Sequence, residues 1–257
     1  MNEKGGYIII CYNNEQEVLT FIKDVLYNQT VDLDIFVVAN EMRYNDDFKS
    51  LNNVILLDPK RNLGYMGAFD YALKNINYNK YSFMCFSNTD LVFDSDQLLN
   101  NLSNKLSDET IAVISPSIIC KGRHQNPVFL KRPLKFKLYL VYLLTYFPSV
   151  FLLRKKVMHS NRKMRSLSLK DYDCYALHGS FYMFSIKHLH KFNFSFFQLL
   201  YGEETFIAEQ CRDLNLRSVW SDTDIIYHEE NSTTSLLDIK EKLRYIRKTT
   251  KYFINQL

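Results

Sequence analysis

Apolar runs alternate with amphipathic stretches along most of this chain. Tyr7–Tyr12 is almost wholly apolar and stops at Asn13-Asn14-Glu15, the pattern of a buried strand with a polar end. Val18, Leu19, Ile22, Val25 and Leu26 then recur at helical spacing up to Asn28. Leu33–Ala39 and Asn53–Leu57 read as a second and a third strand. Strand, helix, strand in this order predicts right-handed crossovers and a mainly parallel sheet flanked by helices, an α/β fold. Further strands are expected over Tyr81–Phe86, Ile111–Ile119, Leu216–Trp220 and Ile225–His228, with a glycine-interrupted one over Tyr175–Phe184. Gln97–Leu106 reads as a helix. Leu236, Ile239, Leu243, Ile246, Phe253 and Leu257 mark one face of a C-terminal amphipathic helix over 235–257 that carries six basic residues.

Charge changes this picture in one place. Thirteen basic residues and no acidic one fall between Lys121 and Lys170, leaving the remainder of the chain with 19 basic against 28 acidic residues. One cationic segment therefore sits on an acidic body, which points to an anionic surface or ligand. Its centre, Leu138–Leu153, is uncharged for sixteen residues and interrupted by Pro148. A spanning helix needs about twenty apolar residues, so the stretch fits an interfacial anchor better than a span. With Lys131, Arg132, Lys135 and Lys137 before it and Arg154, Lys155 and Lys156 after it, peripheral membrane contact through 131–156 is expected. A buried helical pair with solvated ends is the other reading. The long uncharged interior is a poor track for a phosphate backbone, so nucleic acid is not expected as a partner. Five scattered cysteines without a C-x-x-C pattern fit reduced thiols and a cytoplasmic setting. With 47% apolar residues, no repeat and no Pro- or Gly-rich linker, 1–257 reads as one domain with 121–170 inserted.

Several strand and helix ends carry candidate chemistry. The strand over Tyr81–Phe86 ends in Ser87-Asn88-Thr89-Asp90, where Asp90 could hold a hard divalent cation on a diphosphate or simply close an Asn-Thr-Asp turn. Asn62-Leu63-Gly64-Tyr65-Met66-Gly67 opens a helical segment. Its glycines allow close approach of a ligand to the backbone, or merely shape a helix entry. Gly202-Glu203-Glu204 places paired carboxylates at a helix start, as a general base or as a favourable match to the helix dipole. His228 ends the last strand, as a structural histidine or as a metal ligand.

Taken in order, these stretches resemble the family 2 glycosyltransferases of the GT-A fold, over roughly 7–120 and 173–234, and most nearly the bacterial rhamnosyltransferase-like branch. The resemblance implies a nucleotide-sugar donor site at Tyr12, Asn13, Asn40, Asn62, Gly64, Gly67, Asn88 and Asp90. Alanine occupies position 39, where the family has an aspartate. It further implies a metal, Mn²⁺ or Mg²⁺, on Asp90 and His228, an acceptor side at Gly179 and Ser180, and Glu204 as catalytic base assisted by Glu203. The implied function is inverting transfer from a UDP- or dTDP-sugar to a glycan hydroxyl, lipid-linked, in bacterial surface polysaccharide synthesis at the inner face of the cell membrane. A catalytically inactive nucleotide-binding homologue serving as a partner subunit is the alternative.

Overall fold

The computed structural model of the protein describes residues 4–43, 46–160, 171–196, 198–229 and 238–256, with side chains omitted over 155–160. In chain order the elements are β1 (Lys4–Cys11), α1 (Glu15–Phe21, continued by a π-helical turn over Ile22–Leu26), β2 (Asp32–Ala39), α2 (Asp46–Lys49), β3 (Val54–Leu57), α3 (Gly64–Asn75), β4 (Phe83–Ser87), β5 (Leu91–Phe93), α4 (Leu98–Lys105), β6 (Ile111–Cys120), β7 (Arg123–His124), α5 (Lys135–Leu144), α6 (Pro148–Ser160), β8 (Asp171–Cys174), β9 (Phe181–Ser185), α7 (Ile186–Leu189), α8 (Glu203–Asp213), β10 (Arg217–His228) and α9 (Ile239–Gln256). The expected segments 161–170 and 235–237, with Leu257, lie outside the described residues.

One sheet runs through the molecule in the order β3-β2-β1-β4-β9-β6-β10-β5. β3, β2, β1 and β4 run parallel to one another, and β6 is parallel to β10. β9 lies antiparallel between β4 and β6, and β5 antiparallel on β10. Side chains alternate across each strand, so the apolar runs feed two layers at once. Tyr7, Ile9, Phe83 and Cys85 face α1 and α4, packing with Val18, Phe21, Leu98 and Leu102. Ile8, Met84, Phe86 and Phe184 face the other way, onto Met66, Phe69 and Ala72 of α3 and Ile207 of α8. At the centre of that second layer Phe69 stacks on Phe86 with ring centroids 4.3 Å apart, and Phe194 meets it edge-on at 4.7 Å. All five cysteines are buried and none is in a disulfide.

The structure departs from the sequence reading in three places. Leu216–Trp220 and Ile225–His228 are one strand, β10. Its pairing with β6 shifts between Ser221 and Ile225, and the intervening acids are buried and paired, which hides the strand from an apolar pattern. Asp224 accepts from Lys105 at 2.9 Å and Asn101 at 3.0 Å, and Asp222 from the Ser117 hydroxyl at 3.0 Å. Over Tyr175–Phe184 only Phe181 onward is strand. β8 escapes the pattern because three of its four residues are polar or charged at a sheet margin.

Replacing Phe69 with alanine removes a fully buried ring from a stacked cluster and is expected to cost about 3–5 kcal/mol. Urea unfolding monitored by circular dichroism measures it; a loss under about 1 kcal/mol would mean this layer is not packed as described.

Candidate active site

The strand order turns outward from β1 through β2 to β3, then crosses to β4 on the other side of β1. Ligands in open α/β sheets sit outside the carboxyl ends of strands at such a reversal. A cleft of about 560 Å³ lies there. Its wall comprises Tyr12, Asn13 and Asn14 after β1, Asn40 after β2, Asn62 and Gly64 ahead of α3, and Ser87–Asp90 after β4. Asn40 shapes the cleft as well as lining it. Its Oδ1 accepts the Leu63 amide at 2.6 Å, and its Nδ2 donates to Asn62 Oδ1 at 3.0 Å, which in turn accepts the Gly64 amide at 2.8 Å. Gly64 has φ +70°, and a Cβ there would lie 2.6 Å from Leu199 Cα. Only glycine suits both demands.

Asp90 and His228 come together because β10 pairs with β5, setting His228 opposite Leu91. His228 Nε2 stands 3.2 Å from Asp90 Oδ1, and both side chains are buried. On the far side of the ring, Nδ1 lies 2.7 Å from Gln125 Oε1, an acceptor, so Nδ1 donates there and Nε2 is the nitrogen turned toward Asp90. Among the described residues neither Nε2 nor Asp90 Oδ2 has a hydrogen-bond partner. Two buried polar atoms of metal-ligating type without partners are costly alone, and a divalent cation would satisfy both. The donor set therefore fits a metal. No cluster of three or more His, Cys, Asp or Glu suited to a metal occurs among the described residues, so the protein offers a partial shell to be completed by phosphate and water.

The glutamate pair opens α8 directly after Gly202, which has φ +102°. Glu203 lies against Gly179: a Cβ on that glycine would fall 2.8 Å from Glu203 Oε1. Burial raises the pKa of both carboxyls. For Glu203 the charge of Glu204 adds to the rise. For Glu204 hydrogen bonds from its own amide and those of Gly202 and Gly179 oppose it. Amides oppose the rise at three points for Glu204 and at one for Glu203, so Glu204 is the more readily ionised of the two.

Of the anticipated residues, the cleft wall gathers Tyr12, Asn13, Asn40, Asn62, Gly64, Asn88 and Asp90. Gly67 is not in that wall; it lies one turn inside α3, where a Cβ would meet Leu63. Ser180 adjoins the metal-side tip, its carbonyl accepting the Asn88 amide at 2.9 Å. Ala39 borders a second pocket of about 260 Å³ with Glu41, Arg43, Asp58 and Arg61. Sequence reasoning did not single out Tyr65, Leu199, Leu200, Glu241 or Tyr245, which also line the main cleft. Tyr65 joins its two ends: the ring lies in the wall and the hydroxyl donates to the Gly179 carbonyl at 2.6 Å, beside Glu203. Only its place between two glycines hinted at this. The α9 residues gave no signal at all, since they lie over 170 positions from Asn62 in sequence.

A family model described as Glycosyl transferase family 2 matches residues 7–175. No curated protein matches the chain in sequence. Among solved structures, GalNAc-T7 with UDP, GalNAc and Mn²⁺ superposes with a TM-score of 0.59 at 11% identity, over 88% of this chain and 44% of that one. The mannosyltransferase PcManGT from Pyrobaculum calidifontis, in complex with GDP-Man and Mn²⁺, gives 0.57 at 13% identity, over 91% and 59%. The chain thus spans about half of each. At these identities the likeness is one of fold, and the fold is GT-A.

The raised carboxyl pKa of Glu203 has a consequence for stability. A carboxyl that holds its proton longer folded than unfolded supports the fold at low pH and withdraws that support as pH rises above the ordinary carboxylate range. Glu203→Gln is therefore expected to flatten the decline in melting temperature between pH 5 and pH 9. Parallel curves for variant and wild type would show that the carboxyl is not perturbed.

Proposed function

The chain belongs to the family 2 glycosyltransferases, and we propose that it transfers a sugar, with inversion, from a UDP- or dTDP-sugar to a hydroxyl of a lipid-linked glycan. The observation that carries the reading is the conjunction, around Tyr65, of a cleft at the β1–β4 reversal with Asp90 in its wall and a carboxylate pair behind it. The reading takes 1–257 as one transferase domain.

The cleft takes the nucleoside diphosphate, with Tyr12, Asn13 and Asn40 toward the nucleoside and the loop at Gly64 toward the sugar. Asp90 and His228 would hold the divalent ion, which when bound would supply charge neutralisation to the diphosphate leaving group. A carboxylate with an imidazole accommodates Mn²⁺ more readily than Mg²⁺. Glu204, fixed by backbone amides, takes the acceptor hydroxyl proton as that oxygen bonds to the anomeric carbon. The bond from that carbon to the diphosphate oxygen breaks on the opposite face, inverting the centre. Glu203 keeps its proton and orients acceptor or base, with Gly179 and Ser180 forming the floor beneath the acceptor. A positioned base of this kind contributes roughly 10²–10⁴-fold in rate. Buried cysteines without disulfides suit a cytoplasmic enzyme, and assembly of a capsule or similar surface polysaccharide at the inner face of the membrane is the process we assign.

Alanine at 39 and asparagine at 88 favour, against this, a nucleotide-binding homologue without turnover. The two readings part on activity. A thermal-shift screen of nucleoside diphosphates and their sugars with and without Mn²⁺ identifies the nucleotide, since stabilisation follows ligand concentration over Kd. Donor hydrolysis by wild type favours the enzyme; nucleotide binding with no turnover on any donor favours the inactive partner.

Glu204→Gln is expected to lower turnover by at least about a hundredfold while leaving the nucleotide-induced thermal shift in place. Full activity in that variant would remove Glu204 from the role of base. Asp90→Asn, which keeps shape but loses charge, is expected to abolish the extra stabilisation that Mn²⁺ gives with nucleoside diphosphate. An unchanged Mn²⁺ increment would show that the ion binds elsewhere.

A further inference from the structure

The hairpin of α5 and α6 contributes nothing to the cleft wall, yet it and its connections carry most of the exposed large apolar side chains among the described residues. We propose that this hairpin docks on an anionic lipid bilayer, and that it thereby presents the site to an acceptor carried in that bilayer; the second half rests on the transferase reading.

The apolar face is open. Leu134, Phe136, Leu143, Phe147, Val150 and Leu153 are each between 50% and 75% exposed, and no residue of α5 is buried. A pair of helices does form, with Pro148 opening the second one, but it is not an internal pair. An apolar surface of this extent marks an interaction site. No helix among the described residues is long and apolar enough to cross a membrane. Helices of this length, apolar and flanked by lysine, match the layer between headgroup and acyl chain.

Charge selects the occupant. Lys131, Lys135 and Lys137 are exposed beside the apolar face, in a segment without a single acidic residue from 121 to 170. A second copy docked face to face would set these cations against themselves with no counter-charge, a repulsion that opposes self-association. Anionic headgroups above an apolar layer meet both features. Arg132 is not part of this surface. Its guanidinium grips Glu209 of α8 through two bonds of 2.9 and 2.7 Å and ties the base of the hairpin to the body. The side chains of Lys155 and Lys156 lie outside those described.

The hairpin is fastened to the site through α9. Arg247 donates to the Thr145 hydroxyl at 3.0 Å and to the Thr145 carbonyl at 2.8 Å, with its guanidinium 3.8 Å over the Tyr146 ring. On the same helix Glu241 and Tyr245 line the cleft, and the Thr249 hydroxyl donates to the Tyr201 carbonyl at 3.1 Å, against Gly202 and the glutamate pair. A bilayer on the hairpin is thus held beside the element that walls both halves of the site.

The test uses the full chain with vesicles of phosphatidylglycerol mixed into phosphatidylcholine, and of phosphatidylcholine alone. Co-sedimentation is expected with the anionic vesicles, weakened by high salt, and reduced roughly tenfold or more by Phe136→Ser with Phe147→Ser and by serine at Lys131, Lys135 and Lys137 together. No partitioning into anionic vesicles, or equal partitioning of all variants, overturns the proposal. A dimer in sedimentation velocity that the phenylalanine substitutions dissolve, without vesicle binding, overturns it in favour of a second copy. The nucleotide-induced thermal shift of each variant checks that the fold and cleft survive. Vesicle binding by a wild-type chain that binds no nucleotide would leave the docking surface standing and remove the transferase reading.

Discussion

Strand β4 must satisfy two neighbours of opposite direction, and the site follows from that constraint. Buried on both faces, it runs parallel to β1 on one side and antiparallel to β9 on the other. Its carboxyl end therefore meets the carboxyl end of β1 and the beginning of β9 at one edge of the sheet. Tyr12–Asn14, Ser87–Asp90 and Gly179-Ser180 become neighbours there although up to 168 residues separate them. The antiparallel return of β5 on β10 then carries His228 to the same place. A sheet parallel throughout would have put Gly179 at the opposite end.

Two kinds of electrostatic imbalance sit at this edge. At Asp90 and His228 the protein leaves two buried polar atoms without hydrogen-bond partners, a defect that a cation would repair. At Glu203 and Glu204 it crowds two carboxyls, whose pKa values burial raises while backbone amides oppose the rise most at Glu204. Both cost stability in isolation, and both are affordable because the strands beneath them are packed through two apolar layers. Tyr65 spans the gap, with its ring in one arrangement and its hydroxyl against the other.

Helix α9 gives the molecule its remaining coherence. One face packs Leu243, Phe253 and Ile254 inward, another completes the cleft through Glu241 and Tyr245, and Arg247 clasps the end of α5. The apolar hairpin, the cleft and the start of α8 at Gly202 therefore all lean on one helix.

The sequence by itself determined the elements whose periodicity is unambiguous. Strand β1 and β2, the helix after Gly64, the break at Pro148 and the cationic stretch from Lys121 were legible because side-chain alternation, proline and charge act locally. It also named the strand-tip part of the cleft wall, since polar tips on buried strands stand out from the apolar runs they end. Only the tertiary structure decided that Leu216–His228 is a single strand, because the buried acids inside it are neutralised by residues from α4 and β6. It alone brought Leu199, Glu241 and Tyr245 to the cleft, moved Gly67 out of it and withdrew Arg132 from the cationic face. Each of those outcomes depends on a contact between residues distant in sequence. Local pattern carries no record of such a partner until the chain has closed on it.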